Sequence, residues 1–441
     1  MLCQTLMMMA LPTKSMDERP ASVGHVDSTT RPVRCHWEDA AYSDYCDEIL
    51  EGVELAWTAQ VDEQGWPEPI LDEDGILDVY VSSEGGTAYA YGPWEDADPD
   101  DGRMGTAAHI VIDPDFAAET WIYWTMLHEF SHVLQYSIDF TEPRYVAWEG
   151  AATATEYWSS EILNFPEGDP LWPLDDYIRD FQSQPWVGLL GDGWQIEEDY
   201  DISSLYEYGA ALWLFYLDHR TADGARTAGR DLWLNSAQDS LENEPDFVDA
   251  MGLAFEDWTE GWLEFAIMRI SVGTGTRTTP AWAAPYSDAE FGVRIEDTIA
   301  YSELPVTVIP KYQPSQTGAV YWAVTDVPDG ERIRASVDGD PSVNWAVIGY
   351  ENGYGSWKES EMLERKTDGG DIIIGAVNLG SSGFDADEII EPADVSVDIW
   401  MSGAAADEGG EKGGGCATAS RLGSGWIWLS GLLLLGWRRQ R

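Results

Sequence analysis

The stretch Thr120 to Ile138 reads TWIYWTMLHEFSHVLQYSI and carries one charged residue, Glu129, although 24% of the whole chain is charged. Such an apolar stretch predicts an α-helix that is buried on most sides. His128 and His132 are four residues apart and would therefore lie about 40° apart on one face of this helix. Two imidazoles in that arrangement can bind one metal ion, and an ionised Glu129 beside them needs a cation or a water-filled cleft. We therefore predict a metal site on this helix.

The chemistry of these residues favours Zn²⁺ as the cofactor. Neutral imidazoles suit Zn²⁺, and the adjacent carboxylate can accept a proton from a water molecule whose pKa the metal has lowered. We therefore predict His128 and His132 as metal ligands and Glu129 as the general base. The motif does not continue as it does in metzincins, since Gln135 and Ile138 stand where that motif has a glycine and a third histidine. The third ligand must come from another element.

A second helical pattern, from Val146 to Trp158, supplies the candidate for the third ligand. Glu149 opens it, and Gly150 with the small residues that follow permits close approach to another helix. A carboxylate at this place can complete a His-His-Glu set and leave a fourth position for water, so we predict Glu149 as the ligand. Two alternatives stay open. Glu149 could be only a favourable acid at a helix N-terminus, or Glu156, two turns further on the same face, could be the ligand instead.

The two motifs together resemble those of known zinc peptidases. HEFSH at 128–132 followed by WEGAA at 148–152 is similar to the gluzincin pattern, in which HExxH precedes a helix that contains Glu-Gly. The segment 205–217, LYEYGAALWLFYL, resembles the Tyr-Glu-Lys-Gly segment of the aminopeptidase-N type. The resemblance implies hydrolysis of peptide bonds in proteins and Tyr206 as the donor to the tetrahedral oxyanion, with Tyr208 in place of the lysine. His219 is the next candidate for that donor.

The resemblance covers residues 120–217 and has three departures. The interval between His132 and Glu149 is slightly shorter than in the aminopeptidase-N type, no GAMEN segment precedes the helix, and Thr153 stands where thermolysin-like enzymes have an Asp. The resemblance therefore implies peptide-bond hydrolysis as the reaction class. It does not imply the exopeptidase specificity of the aminopeptidase-N type, and an endopeptidase is favoured. The alternative is a non-catalytic cell-surface binding protein on the same scaffold. The presence of Glu129 favours the enzyme, because a binding protein has less need of this residue than of the two histidines.

Two β-rich runs precede the histidine helix. They are Ile76 to Val81 and Ala107 to Ile112, and a loop rich in Gly and Asp joins them. The second run leads almost directly into the helix, so by its position it is a candidate for the strand that aligns an extended substrate over the metal. We expect His109 on this run to be a histidine of the sheet rather than a fourth ligand.

The acidic balance of the chain limits its partners. The formal net charge is −56, and no lysine occurs between Lys14 and Lys311. Nucleic acid and anionic membrane surfaces are therefore poor partners. The charge indicates a strongly hydrated, salt-adapted or extracellular surface, and attraction of cations or basic substrates is the alternative. Asp72, Asp74 and Asp78 in DEDGILD resemble a small calcium loop, which makes Ca²⁺ a second candidate cofactor.

The order of the patterns predicts an α+β fold with two folded domains. Residues 1–34 read as a leader or linker, because residues 13–34 are polar and contain Pro. The apolar run MLCQTLMMMALP before them lacks the positive n-region of a secretory signal, and a weak or truncated signal is the alternative. Residues 35–275 carry the motifs, and the resemblance implies a zincin-like catalytic domain there. In residues 295–402, strands alternate with Gly, Asp and Pro turns, which predicts an antiparallel β-sandwich.

The end of the chain and two cysteines bear on localisation. Residues 403–415 form a linker rich in Gly and acid, and residues 416–441 begin with a cysteine, continue with the apolar run 422–437 and end in arginines. This order resembles the C-terminal sorting signals of myxobacterial envelope proteins, and implies a secreted or surface-attached bacterial protein that contacts the membrane before processing. An ordinary single-pass anchor is the alternative. Cys35 and Cys46 would form a disulfide in an oxidising compartment and remain thiols in a reducing one.

Overall fold

The structure is a computed structural model of the 441-residue chain. It describes residues 19–93, 97, 103–117, 121–142, 145–165, 174–189, 205–221, 224–236, 247–273, 292–359, 362–380 and 392–402. All of these lie in one compact unit, residues 1–404. The predictions for most of the leader and for the segment 403–441 lie outside the described residues. Within the described part, no helix is long and apolar enough to cross a membrane.

The N-terminal sheet is mixed. Its strands are β1 (Gly24–Asp27), β2 (Val33–Trp37), β3 (Leu77–Val81), β4 (Ala88–Tyr91) and β5 (His109–Ile112). Their order is β1-β2-β3-β5-β4, in which the three inner strands are parallel and the two outer ones pair antiparallel to them. β3 and β5 are buried along their whole length, as parallel strands covered on both faces are. The candidate for the strand that aligns an extended substrate, Ala107 to Ile112, does not lie at an edge of the sheet, because β5 is paired on both sides and β4 is the outer strand.

The helices follow and interleave with this sheet. They are α1 (Cys46–Trp57), α2 (Pro114–Ala117), α3 (Ile122–Tyr136), α4 (Tyr145–Ile162), α5 (Leu174–Ser183), α6 (Tyr206–Gly209), α7 (Ala211–Thr221), α8 (Ala228–Ser236), α9 (Phe247–Ala254) and α10 (Trp258–Met268). The two helices predicted around the motifs are thus present as α3 and α4. α3 lies between α1 and α4, which accounts for its apolar composition on most sides.

A buried glutamine holds α3 against the preceding helix. α1 continues into a π-helical turn, Thr58–Glu63, that carries Gln60. The Gln60 side chain donates to the carbonyl of Leu127 at 2.7 Å and accepts from the hydroxyl of Ser131 at 3.2 Å. Leu127 directly precedes His128, so this contact fixes the backbone at the start of the motif.

Two further sheets form the C-terminal half. Their strands are β6 (Asp297–Ala300), β7 (Val306–Val308), β8 (Ala319–Val327), β9 (Arg332–Gly339), β10 (Trp345–Glu351), β11 (Tyr354–Glu359), β12 (Leu363–Lys366), β13 (Gly370–Asn378) and β14 (Val395–Met401). One sheet has the order β11-β10-β13-β8-β6 and the other β12-β9-β14-β7. All pairs are antiparallel except β6 with β8. No hairpin joins those two strands, since β7 in the other sheet lies between them in sequence, so antiparallel pairing is not imposed.

The helical half contacts the C-terminal sheets through α10 and the turn after it, and also through the segment that follows α5, where the backbone N–H of Ala319 donates to the carbonyl of Pro185. The hydroxyl of Tyr321 donates to the carbonyl of Ala266 at 2.9 Å, and the hydroxyls of Ser271 and Tyr350 lie 2.6 Å apart. Mixed helices and sheets agree with the predicted α+β class.

A disulfide joins Cys35 on β2 to Cys46 at the start of α1. Both cysteines are fully buried. The bond therefore ties the N-terminal sheet to the helix that packs on α3, and it is the arrangement expected of an oxidising compartment.

Candidate metal centre

Three side chains from two helices converge at the HExxH segment. His128 and His132 on α3 and Glu149 on α4 bring one ligand atom each to within 4.8 Å of one another. His128 Nε2 lies 3.1 Å from His132 Nε2, and Glu149 Oε2 lies 3.1 Å from the first and 3.4 Å from the second. Ligand atoms around a tetrahedral Zn²⁺ are about 3.3 Å apart, so this donor set fits the ion. Elsewhere in the described ranges, no other group of three His, Cys, Asp or Glu side chains meets the same distance criterion.

The electrostatics of the group favour a bound cation. Burial alone would lower the pKa of His128, but the hydrogen bonds that its ring donates to the carboxylates of Glu149 and Glu156 raise it well above its usual value. Burial alone would raise the pKa of Glu149, whereas the imidazoles of His132 and His128 lower it well below its usual range. The pocket thus stabilises positive charge between the imidazoles and the carboxylate, which a divalent cation can supply in place of protons.

Glu156 lies behind His128 rather than beside the other ligands. Its Oε2 is 3.1 Å from His128 Nδ1, the ring nitrogen that points away from Glu149. The side chain is fully buried, and burial raises its pKa to about 7. Of the two acids on α4, Glu149 is therefore the one that lies with the Nε2 atoms of both histidines, and Glu156 contacts the other ring nitrogen of His128.

Glu129 lies beside this group, as the motif predicts. It is 7% exposed, and its Oε2 has no hydrogen-bond partner within the described part of the chain. Burial raises the pKa of its carboxyl group, while His128 and His132 and a hydrogen bond from the Ala90 backbone partly lower it. A buried carboxylate with a raised pKa and an available oxygen is suited to accept and release a proton.

The structure does not bring Tyr206 to the metal-ligand candidates. Its hydroxyl donates to the carbonyl of Gly188 at 2.6 Å, and its ring packs on Phe181 with 1% of the residue exposed. Tyr208 instead lies beside the group, because its ring stacks on His128 with centroids 5.6 Å apart. Two residues on a helical turn differ by about 200° in direction, so the two tyrosines face opposite sides.

The remaining histidine candidates lie outside the group. His109 is 3% exposed on β5 and is flanked by the rings of Tyr80 and Tyr91, as expected of a histidine of the sheet. Burial lowers its pKa to about 4. His219 lies exposed in the last turn of α7 and is not part of the group either.

The three aspartates of the calcium candidate pair with arginines. Arg19 contacts both Asp78 and Asp72, the latter at 2.6 Å, and Arg34 lies 2.9 Å from Asp74. Guanidinium groups therefore provide the positive charge that Ca²⁺ would provide. The structure does not bring the three carboxylates together as a ligand group.

Comparisons with known proteins add no family to this description. No family model matches the chain, and no curated protein matches it. Among solved structures, the chain overlaps Aeromonas hydrophila PliG, a periplasmic inhibitor of g-type lysozyme, at 11% identity and a TM-score of 0.18, over 25% of this chain and 100% of that one. It overlaps the Yersinia pseudotuberculosis-derived mitogen at 17% identity and a TM-score of 0.16, over 24% of this chain and 93% of that one. TM-scores this low do not indicate a shared fold.

Proposed function

We propose that this chain is a zinc-dependent peptidase of the gluzincin type. The observation that carries the proposal is the convergence of His128, His132 and Glu149, with the buried carboxylate of Glu129 directly beside them. These three residues would hold Zn²⁺, which would supply the Lewis acidity that makes water a nucleophile near neutral pH.

Glu129 acts as the general base and then as the general acid. Its unpartnered Oε2 can accept the proton of the attacking water, and burial raises its pKa so that it can pass this proton to the leaving amine. The hydrogen bond from the backbone of Ala90 holds the carboxylate in place and connects it to β4. That strand is the edge of the N-terminal sheet, and an extended peptide can pair along it.

Tyr208 is the better candidate for the oxyanion donor. Its ring lies on His128, whereas the hydroxyl of Tyr206 is occupied by the Gly188 carbonyl. Burial and the negative charge of Glu149 raise the pKa of Tyr208 well above its usual value, so the phenol remains protonated and able to donate. Donors directed at a developing negative charge provide a large part of hydrolytic catalysis.

The site of action that we propose is outside the cytoplasm. The disulfide between Cys35 and Cys46 supports an oxidising compartment, and the C-terminal segment resembles a bacterial sorting signal. Protein or peptide substrates at the cell surface or in the medium fit both features.

The decisive experiment pairs zinc analysis with a protease screen on wild type and Glu129→Gln. We expect about one zinc per chain in both proteins, and a loss of peptide hydrolysis of roughly a hundredfold or more in the variant, since it lacks the base. Glu351→Gln is the matched control, because it makes the same change at a buried carboxylate on β10, in the C-terminal half. It should keep both zinc and activity.

Two results would contradict the proposal. A wild-type protein that binds zinc and cleaves no peptide in the screen would favour the non-catalytic binding protein. A wild-type protein that binds no zinc would contradict the proposed metal site itself.

A further inference from the structure

Gln135 connects two candidate ligands that lie on different helices. It is 0% exposed and lies on α3, three residues after His132. Its Oε1 lies 2.7 Å from His132 Nδ1, and its Nε2 donates to the carbonyl of Trp148 at 3.0 Å. Trp148 directly precedes Glu149 on α4. Two hydrogen bonds thus run from one ligand to the backbone beside another.

We propose that Gln135 is a positioning residue of the metal centre, and this inference rests on the proposed zinc site. By accepting from Nδ1–H of His132, it leaves the lone pair on Nε2, the ring nitrogen that lies 3.4 Å from Glu149 Oε2 and is available to a metal ion. By donating to the Trp148 carbonyl, it also fixes the distance between α3 and the start of the Glu149 segment. One side chain therefore sets both the tautomer of His132 and the spacing of the two helices.

The chemistry of this place requires an amide. A glutamine has an acceptor and a donor on the same group, whereas a glutamate ionised at this place has only acceptors and would direct one of them at the Trp148 carbonyl oxygen. A methionine has neither group. Because Gln135 is fully buried, water cannot replace a lost partner without cost.

The acceptor on the second helix is itself held firmly. The indole Nε1 of Trp148 donates to the carbonyl of Glu142 at 2.7 Å, and its ring packs against Tyr136 and Trp233 with centroids 4.8 Å and 4.5 Å away. The Trp148 carbonyl therefore cannot readily follow a displaced side chain. A change at residue 135 should be transmitted to His132.

The test measures the zinc dissociation constant of wild type, Gln135→Met and Gln135→Glu by competition with a chelator. We expect Gln135→Met to bind zinc roughly 10- to 100-fold more weakly, the range found when a partner of a ligating histidine is removed. Gln135→Glu keeps the acceptor for His132 but directs a second acceptor at the Trp148 carbonyl, so its loss of zinc affinity should be smaller than that of Gln135→Met while its melting temperature falls. The Nδ1–H proton of His132 should be visible by NMR in the zinc-loaded wild type and lost in Gln135→Met.

Asn378→Leu is the matched control. It removes a buried amide on β13, in the C-terminal half, that donates to the carbonyl of Pro314 at 2.9 Å and accepts from the backbone N–H of Gly380 at 2.8 Å. It should lower the melting temperature of the metal-free protein, with a zinc dissociation constant within about twofold of wild type.

The outcomes separate the inference from the proposed function. Zinc binding by wild type with an unchanged dissociation constant in Gln135→Met would overturn the inference and leave the peptidase proposal standing. A lower melting temperature in Gln135→Met without a change in zinc affinity or in the His132 resonance would overturn it as well. Failure of wild type to bind zinc would overturn both.

Discussion

The ring of Tyr208 lies over the imidazole of His128, with centroids 5.6 Å apart and planes inclined by 24°. Removal of the hydroxyl alone keeps this packing. We expect Tyr208→Phe to retain zinc and to lower kcat roughly a hundredfold or more with KM little changed, as loss of an oxyanion donor does. Steady-state kinetics on a peptide substrate, with zinc analysis of the same samples, would measure this.

Tyr206→Phe is the control for that variant. It breaks the hydrogen bond to the Gly188 carbonyl and should lower the free energy of unfolding by about 1 kcal/mol, with kcat near that of wild type. Should Tyr206→Phe lose activity and Tyr208→Phe keep it, the donor would be the residue that the resemblance implied.

The two acids on α4 should respond differently to truncation. Glu149→Ala removes the oxygen that approaches both imidazoles, so zinc and activity should be lost together. Glu156→Ala removes only the partner of His128 Nδ1, so the metal should remain, bound roughly 10- to 100-fold more weakly. Zinc titration of the two purified variants shows which of them loses the metal. Loss of zinc in Glu156→Ala and retention in Glu149→Ala would identify Glu156 as the ligand.

A close helix contact holds Tyr208 in place. A Cβ atom on Gly209 would lie 2.1 Å from the carbonyl oxygen of Tyr177 on α5, so Gly209→Ala must displace α6. We expect a loss of about 1–3 kcal/mol in the free energy of unfolding together with reduced kcat. Chemical denaturation and kinetics would detect both effects.

Gly252→Ala on α9 is the matched helical control. Its nearest atom would lie at 3.8 Å, in Trp258, so this change should be neutral or should stabilise by up to about 1 kcal/mol. If both substitutions changed the free energy of unfolding equally, the close contact between Gly209 and the Tyr177 carbonyl would not determine the position of α6.

The buried His109 makes stability depend on pH. Its pKa is lowered by burial from 6.5 to about 4, so between these values the unfolded chain binds a proton that the folded chain does not. This contribution to stability is fully present above pH 6.5 and is lost as the pH falls towards 4, by about 3 kcal/mol in total. Chemical denaturation of wild type and His109→Phe from pH 7 to 4 should show a steeper decline for wild type. Parallel curves would mean that His109 is solvated in the folded state.

Residues close together in the sequence could be placed from the sequence alone. The spacing of His128 and His132 fixes their relative direction once α3 forms, because backbone hydrogen bonds set the geometry of a helix. The apolar residues around Glu129 were enough to predict that this helix is buried. The place of Glu149 depends on the tertiary structure, since only the packing of α4 against α3 brings its carboxylate to Nε2 of both histidines. The same packing brings the carboxylate of Glu156 to Nδ1 of His128.

The tertiary structure decided the features that depend on distant segments. Tyr206 and Tyr208 lie on opposite sides of α6. Tyr206 meets Gly188 and Tyr208 meets His128, and no local sequence pattern contains that information. The edge position of β4 likewise depends on its pairing with β5, and the pairing of Arg19 with Asp72 joins residues 53 apart in sequence. Local spacing follows from one helix's own hydrogen bonds, whereas strand order, the choice of helix face and ion pairing follow from contacts that form only when the chain folds.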